Sequence, residues 1–376
     1  MKVVANAIKK QDLLASPSRK GRRSSYSDGL YPDKFKDSGV KKCIPIAMIQ
    51  NCKESYENLE IIIRETGLNR IDYTPAFDLK LGLTFMGIGT AASTCPCLYC
   101  TLPKSQFANP KYMFEGGDLR TFKDIQDLAA AYQEAVHAHT GKRKLSSKDF
   151  KSCEHAPLFE CEMEDYLTTF IVQVVPPMEL HLLLGLANDG IKELEKQLII
   201  LKFVTTLTRW FQQCRVKKSQ HHGGQFNGNM TKRVLQGVPR LRMLLCSDLT
   251  PVVDALLQAE EQLDIVRHGV FGQTLNEGFE RDIKILGELW VKAGLSVTPK
   301  AHVLFAHVTQ FLNFNNPQEG QGPRRGLGFW SEQASESVHH DFEVHWESGY
   351  KRPISLREDY KVQALLCIST YAARHI

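Results

Sequence analysis

From His181 to about Leu312 the chain carries apolar residues at helical spacing almost without interruption, and that run limits the architecture more than any other feature. The expected breaks are "KKSQHHGGQFNGN" and the Val238–Pro239 step. What precedes the run reads differently. "MKVVANAI" alternates as a strand does, Ser, Gly, Arg and Lys then dominate to about Gly39, and "CIPIAMI" has the length and content of a buried strand. "KESYENLEIIIRETG" follows, with Tyr56, Leu59, Ile62 and Ile63 on one helical face and Gly67 as a stop. "IDYTPAFD" reads as a further strand ending at Asp78, and "TTFIVQVV" as the strongest strand signal of all, closed by Pro176 and Pro177. Strands alternating with a helix imply an α/β sheet, with Asp78 at the strand end where such sheets place their sites.

Cysteine usage supplies the second constraint. Ten cysteines in 376 residues are too few for a disulfide scaffold, and clustered thiols in a reducing compartment bind metal more often than they pair. "CPCLYC" offers Cys97 and Cys100 as a C-x-x-C pair, half of a tetrahedral structural zinc site. The other half is expected from Cys153 and His155 in "CEH", with Cys161, His137 and His139 as rivals. Leu119 to His139 has helical period, and Lys142 to Lys151 reads as a basic connection. Lys300, His302 and His307 in "TPKAHVLFAHV" suit phosphate contact, capping or packing equally.

Charge is unevenly placed. Residues 1–42 hold eleven Lys/Arg against four Asp/Glu, so +7 sits there while the whole chain carries +5. A basic segment of this kind touches phosphate, addresses a protein to the nucleus, or is simply a solvated loop. No apolar run reaches the ~18 residues of a membrane span, and Lys9, Lys10 and Asp12 interrupt any secretory signal, so a nuclear or cytoplasmic location is expected. No internal repeat is evident.

Acidic residues near the end complete the chemistry. Glu332, Glu336 and His339 are spaced four and three apart and share one face if helical. Joined by Asp78, such carboxylates hold Mg²⁺ or Mn²⁺ for phosphodiester chemistry. The plain alternatives are a solvated acidic face and, for Asp78, a helix N-cap.

The order of these segments, Asp78-Leu79-Lys80, "CPCLYC", "PPMELHLLLGL", "FNGN", "PKAHVLFAHV" and "GFWSEQASESVHHDFEVHW", resembles transposon-derived animal proteins with a ribonuclease H-like DDE transposase core of the Kolobok/hAT-related group. The resemblance spans essentially the whole chain. It implies an RNase H-like mixed sheet over 1–94, a zinc-binding insertion over 95–165, a fifth core strand over 166–180, an all-helical insertion over 181–326, and a terminal core helix and tail over 327–376. Asp78 and Glu336, or Glu332, would be catalytic; His181, Lys300, His302 and His339 would belong to the remaining core motifs. The first core strand and its aspartate would lie upstream of Met1, leaving the site one carboxylate short. The expected function is therefore that of a transposase-derived DNA-processing domain, inactive as given, with DNA as partner and a homo-oligomer among the expected assemblies. A non-enzymatic nucleic-acid or chromatin binder is the alternative.

Overall fold

The structure, a computed structural model, describes residues 2–4, 47–49, 53–68, 77–143, 145–158, 166–217, 226–245, 249–318, 320–331 and 344. It divides into two units, one formed by 1–77, 158–164 and 331–376, the other by 78–157 and 165–330. In the first unit β1 (Lys2–Val4) pairs antiparallel with β2 (Ala47–Ile49), Val3 opposite Met48. Helix α1 (Tyr56–Thr66) starts where the Ser55 hydroxyl accepts from Asn58 N–H and stops at Gly67, whose φ of 69° requires glycine or a strained residue. Leu59, Ile62 and Ile63 form its buried face, as their spacing predicts.

The second unit is helical. It contains α2 (Leu79–Phe85), α3 (Phe122–Ala138), α4 (Ile171–Val174), α5 (Glu179–Ile200), α6 (Val204–Gln213), α7 (Gly228–Leu244), α8 (Pro251–Val270) and α9 (Phe279–Lys292). A last rod joins α10 (Pro299–His302), a π-helical turn (Val303–His307) and α11 (Val308–Asn315). Helix α8, begun by a Thr250 cap and Pro251 in its first turn, packs against α5, α7 and α9, and so has little polar surface of its own. Leu256, Leu257, Ala259, Leu263 and Val266 are each 0% exposed. Trp210 and Trp290 fill the flanks, their indole N–H groups donating to Gly237 O and Ser296 O.

The expected RNase H-like mixed sheet is not what forms. The only sheet among the described residues is the β1–β2 pair, and the rest is helix and turn. "TTFIVQVV", expected as the fifth core strand, is a helical turn from Tyr166 to Thr168 followed by α4. Its β-branched residues favour a strand only where a pleated neighbour exists. Here Phe170 makes a single bridge to Thr121, and Ile171 and Val172 are buried as a helical turn that packs on α11. The expected break at Val238–Pro239 is absent as well. Helix α7 runs through Pro239 because Val234, Leu235, Val238 and Leu241 are all buried, which offsets the roughly 3 kcal/mol cost of an interior proline. The strand expected at "IDYTPAFD" and the helix expected from Ser331 to Phe342 fall almost wholly outside the described residues.

One residue of α8 is out of character for a core. Glu260 is fully buried, neither carboxyl oxygen has a partner among the described residues, and a Cβ at Gly190 of α5 would lie 1.7 Å from its Oε1. Burial, then repulsion from Asp189, raises its pKa well above 4.5. The folded chain thus holds a proton that the unfolded chain releases above about pH 4.5. The neutral acid's stability contribution is complete below that pH and is lost as pH rises through the folded value. In Glu260→Gln the melting temperature should therefore gain on wild type as pH goes from 5 to 9; parallel curves of melting temperature against pH would show that Glu260 does not titrate this way.

Candidate metal centre

The loop Ser93–Leu102 is held chiefly by one side chain, with Ser152 Oγ also accepting from Cys95 N–H at 3.0 Å. Arg120, 0% exposed, precedes the Thr121 cap of α3 and turns its guanidinium back into the loop. Its Nε donates to Cys97 O at 3.2 Å and Cys100 O at 3.0 Å. Nη2 donates to Cys95 O at 3.2 Å and Lys151 O at 2.8 Å, and Nη1 to the Cys153 sulfur at 3.2 Å. Main-chain bonds complete the seat: Arg120 N–H to Tyr99 O, and Ile171 N–H to Arg120 O. With four of its five N–H groups so engaged, the buried cation is tolerable. The result is a rigid Cys97–Cys100 turn, with the Tyr99 N–H donating to Cys97 Sγ at 3.4 Å.

Opposite this turn stands the π-helical segment. In an α-helix, residues five apart are rotated by about 140° and diverge. The π-turn closes i→i+5 bonds, here Val308 N–H to Val303 O, and brings His302 and His307 onto one face. The two Nε2 atoms lie 3.2 Å apart, and His302 Nε2 is 3.3 Å from Cys100 Sγ. Cys97, Cys100, His302 and His307 are all buried, and their four ligand atoms fall within 4.8 Å of one another. A tetrahedron with metal–sulfur bonds of ~2.3 Å and metal–nitrogen bonds of ~2.05 Å has edges of roughly 3.4 to 3.8 Å. The group can hold a metal such as zinc.

The surroundings set the ligands' protonation. Gln310 Nε2 donates to Glu115 O at 3.0 Å, which leaves its Oε1, 2.7 Å from His307 Nδ1, to accept that ring's proton and free Nε2 as a ligand. Gly116, at φ 73°, leaves room for the His307 ring, since a Cβ there would stand 2.9 Å from His307 Cε1. His302 stacks on Phe107 at 3.9 Å, and burial lowers its pKa, keeping the imidazole neutral. Burial pushes the Cys97 thiol well above the usual range. The hydrogen bond from Cys97 holds Cys100 far below it. One buried thiolate beside the neutral His302 imidazole is what a divalent cation needs to start binding.

Of the residues named from sequence, Cys97 and Cys100 meet as expected, but their companions are His302 and His307. The Cys153 thiol instead accepts from Arg120. His155 uses its main-chain N–H on Gly87 O, and neither it nor Cys153 joins the buried ligand group. His139 caps α3 with Nε2 2.9 Å from Arg143 O. Asp78 is the N-cap of α2, its Oδ1 accepting from Leu81 N–H at 2.7 Å. Lys300 lies across α5 at Gly185, and its charge favours the Asp189 carboxylate. His181 sits half-buried in the first turn of α5. Glu332, Glu336, His339 and Cys161 lie outside the described residues. The signal for the true second pair was the H-x₄-H spacing in "AHVLFAH", within the range that zinc sites use.

Fold and site together define a helical protein with a buried Cys₂His₂ centre. Comparison with protein-family models finds none that matches the chain, and comparison with curated proteins finds none either. No described helix is long and apolar enough to cross a membrane.

Replacing Arg120 with Met removes the donors and leaves buried carbonyls unmatched. The expected loss in denaturant unfolding is about 4 kcal/mol, at the high end for one substitution. Arg120→Lys should recover little of it, because one ammonium cannot reach acceptors on Cys95, Cys97, Cys100 and Lys151 together. A loss under about 1 kcal/mol for Arg120→Met would show that the loop is held by something else.

Proposed function

We propose that the chain is a binding protein whose zinc centre is structural, and that it performs no chemistry at that centre. The observation that carries this reading is closure. Four protein ligands, all buried, satisfy a tetrahedral ion, whereas catalytic zinc keeps one position for water or substrate. The ion would fasten the Arg120-held loop to the last helical rod, an irregular segment to a regular one. Its job there is to fix geometry.

The transposon-derived ancestry implied by the motif order is part of this proposal. What supports it is that two of its motifs, "CPCLYC" and "PKAHVLFAHV", supply the two halves of one centre. DNA as partner follows from that ancestry, in the non-enzymatic form. Asp78 spends one carboxylate oxygen on the start of α2, which is a structural role in itself.

Protein purified without chelator should contain one zinc per chain, and each of Cys100→Ser and His302→Ala should lower both zinc content and melting temperature. Cys153→Ser should retain full zinc. Metal analysis below about 0.1 per chain, after attempted loading with Zn²⁺ or Co²⁺, would remove the reading, as would equal loss of zinc in Cys153→Ser. Acidification should release the ion as the histidines and thiolates take up protons, so melting temperature and zinc content should fall together below neutral pH.

A further inference from the structure

Between Leu201 and Ser247 the sequence has nine Lys/Arg and no Asp/Glu, so this stretch alone carries more charge than the +5 of the whole chain. It forms α6 and α7. The C-terminal end of α6 rests on the middle of α7, where Trp210 Nε1 donates to Gly237 O at 2.8 Å and a Cβ at Gly237 would stand 2.4 Å from Cys214 Sγ. Arg233 and Arg240, two turns apart on α7, both bias the Cys214 thiol, so the cations of the two helices share one region. Arg209, Arg215, Lys217, Arg233 and Arg240 are exposed, and none makes an ion pair or side-chain hydrogen bond with a described residue. Arg242, on another side of α7, shows the contrast: it is bonded to Asp254 and Glu261 of α8.

From this surface we infer a docking site for the phosphate backbone of duplex DNA. Unpaired guanidinium groups on two helices that carry no acid of their own attract a polyanion, and their forks suit phosphate oxygens. The spaces between the cations favour the duplex. Along α7, Asn229, Arg233, Gln236 and Arg240 form an exposed stripe at i, i+4, i+7 and i+11, side chains that hydrogen-bond to phosphates and base edges. A single strand needs exposed rings for its bases to stack on, yet on α6 Trp210 is 0% exposed and Phe211 half-buried, and Phe226, just before α7, is 4% exposed. The wide major groove of B-form DNA accepts a helix face that the narrow groove of duplex RNA does not. An acidic protein would satisfy the charge without using the Asn and Gln of the stripe.

The site stands apart from the zinc reading, and one set of samples tests the two separately. Binding of a fluorescent 20-base-pair DNA to the full chain is measured by anisotropy from 0.05 to 0.3 M salt. The variants are Arg209→Gln/Arg215→Gln/Arg233→Gln/Arg240→Gln and, for the N-terminal basic segment, Arg19→Gln/Lys20→Gln/Arg22→Gln/Arg23→Gln. The helical variant is expected to weaken binding by on the order of 10²-fold at 0.1 M salt and to reduce the slope of log K against log[salt] by about 3.6, or about 0.9 per lost contact. Arg233→Lys/Arg240→Lys keeps the charges and should keep the slope. Zinc content and melting temperature, read on the same samples, should not change in any of these variants. Affinity within twofold of wild type in the helical variant, with loss in the N-terminal one, would overturn the site. So would equal affinity for the single strand or the duplex RNA, or binding to phosphatidylserine vesicles in preference to the DNA.

Discussion

The guanidinium of Arg120 is the point on which the metal centre turns. The six-residue thiol loop 95–100 is buried throughout yet forms no helix or strand, and its carbonyls face inward. By donating to the carbonyls of Cys95, Cys97 and Cys100 on one side and to Lys151 O and Cys153 Sγ on the other, Arg120 supplies from a single side chain the partners that a sheet would have given. Its own carbonyl also accepts from Ile171 N–H at the start of α4. The Cys97 and Cys100 sulfurs are aimed before any ion arrives. Preorganisation of this kind reduces the ordering that metal binding must impose.

The fold was half legible from sequence, and the split follows from the physics. Helices α1, α3 and α5 to α9 announce themselves because one face of each is buried and the other wet, so period and burial agree. "TTFIVQVV" misleads because β-branched composition reports a preference that only a partner strand can realise, and Phe170 finds one bridge and no ladder. Pro239 misleads in the opposite sense, since four buried neighbours outweigh it. In the centre itself, Cys97 and Cys100 are visible because ligand spacing is local. His302 and His307 show only the H-x₄-H spacing, and nothing in a helical-period segment distinguishes five-residue spacing on one face from five-residue spacing on two. Only the π-turn decides, and it is set by packing. Cys153 was a reasonable partner by proximity in sequence, and Arg120 explains its burial better than a metal does.

Charge in this molecule is sorted by depth. Glu260 sits in the helical core in its neutral form, Arg120 is buried among five acceptors, and Arg209, Arg233 and Arg240 of α6 and α7 are exposed with no partner among the described residues. The first two cases follow the rule that a buried ionisable group must lose its charge or find its partners. The third is a surface kept unsatisfied, where the same side chains cost nothing until an anion approaches.

The separation of Cys100 and His302 by 202 residues has a consequence for how the chain comes into being. Closing a loop of that length costs about 4.7 kcal/mol in chain entropy beyond the constant term, so the centre is not where folding begins. Synthesis at about 5–20 residues per second puts roughly 10–40 s between the emergence of the two halves. For that interval the thiol loop exists without its imidazoles, and oxidation competes with assembly. A neighbouring arginine that orders the loop early, and emerges only twenty residues after Cys100, lets the nascent chain bury those sulfurs before the second half of the site has been made.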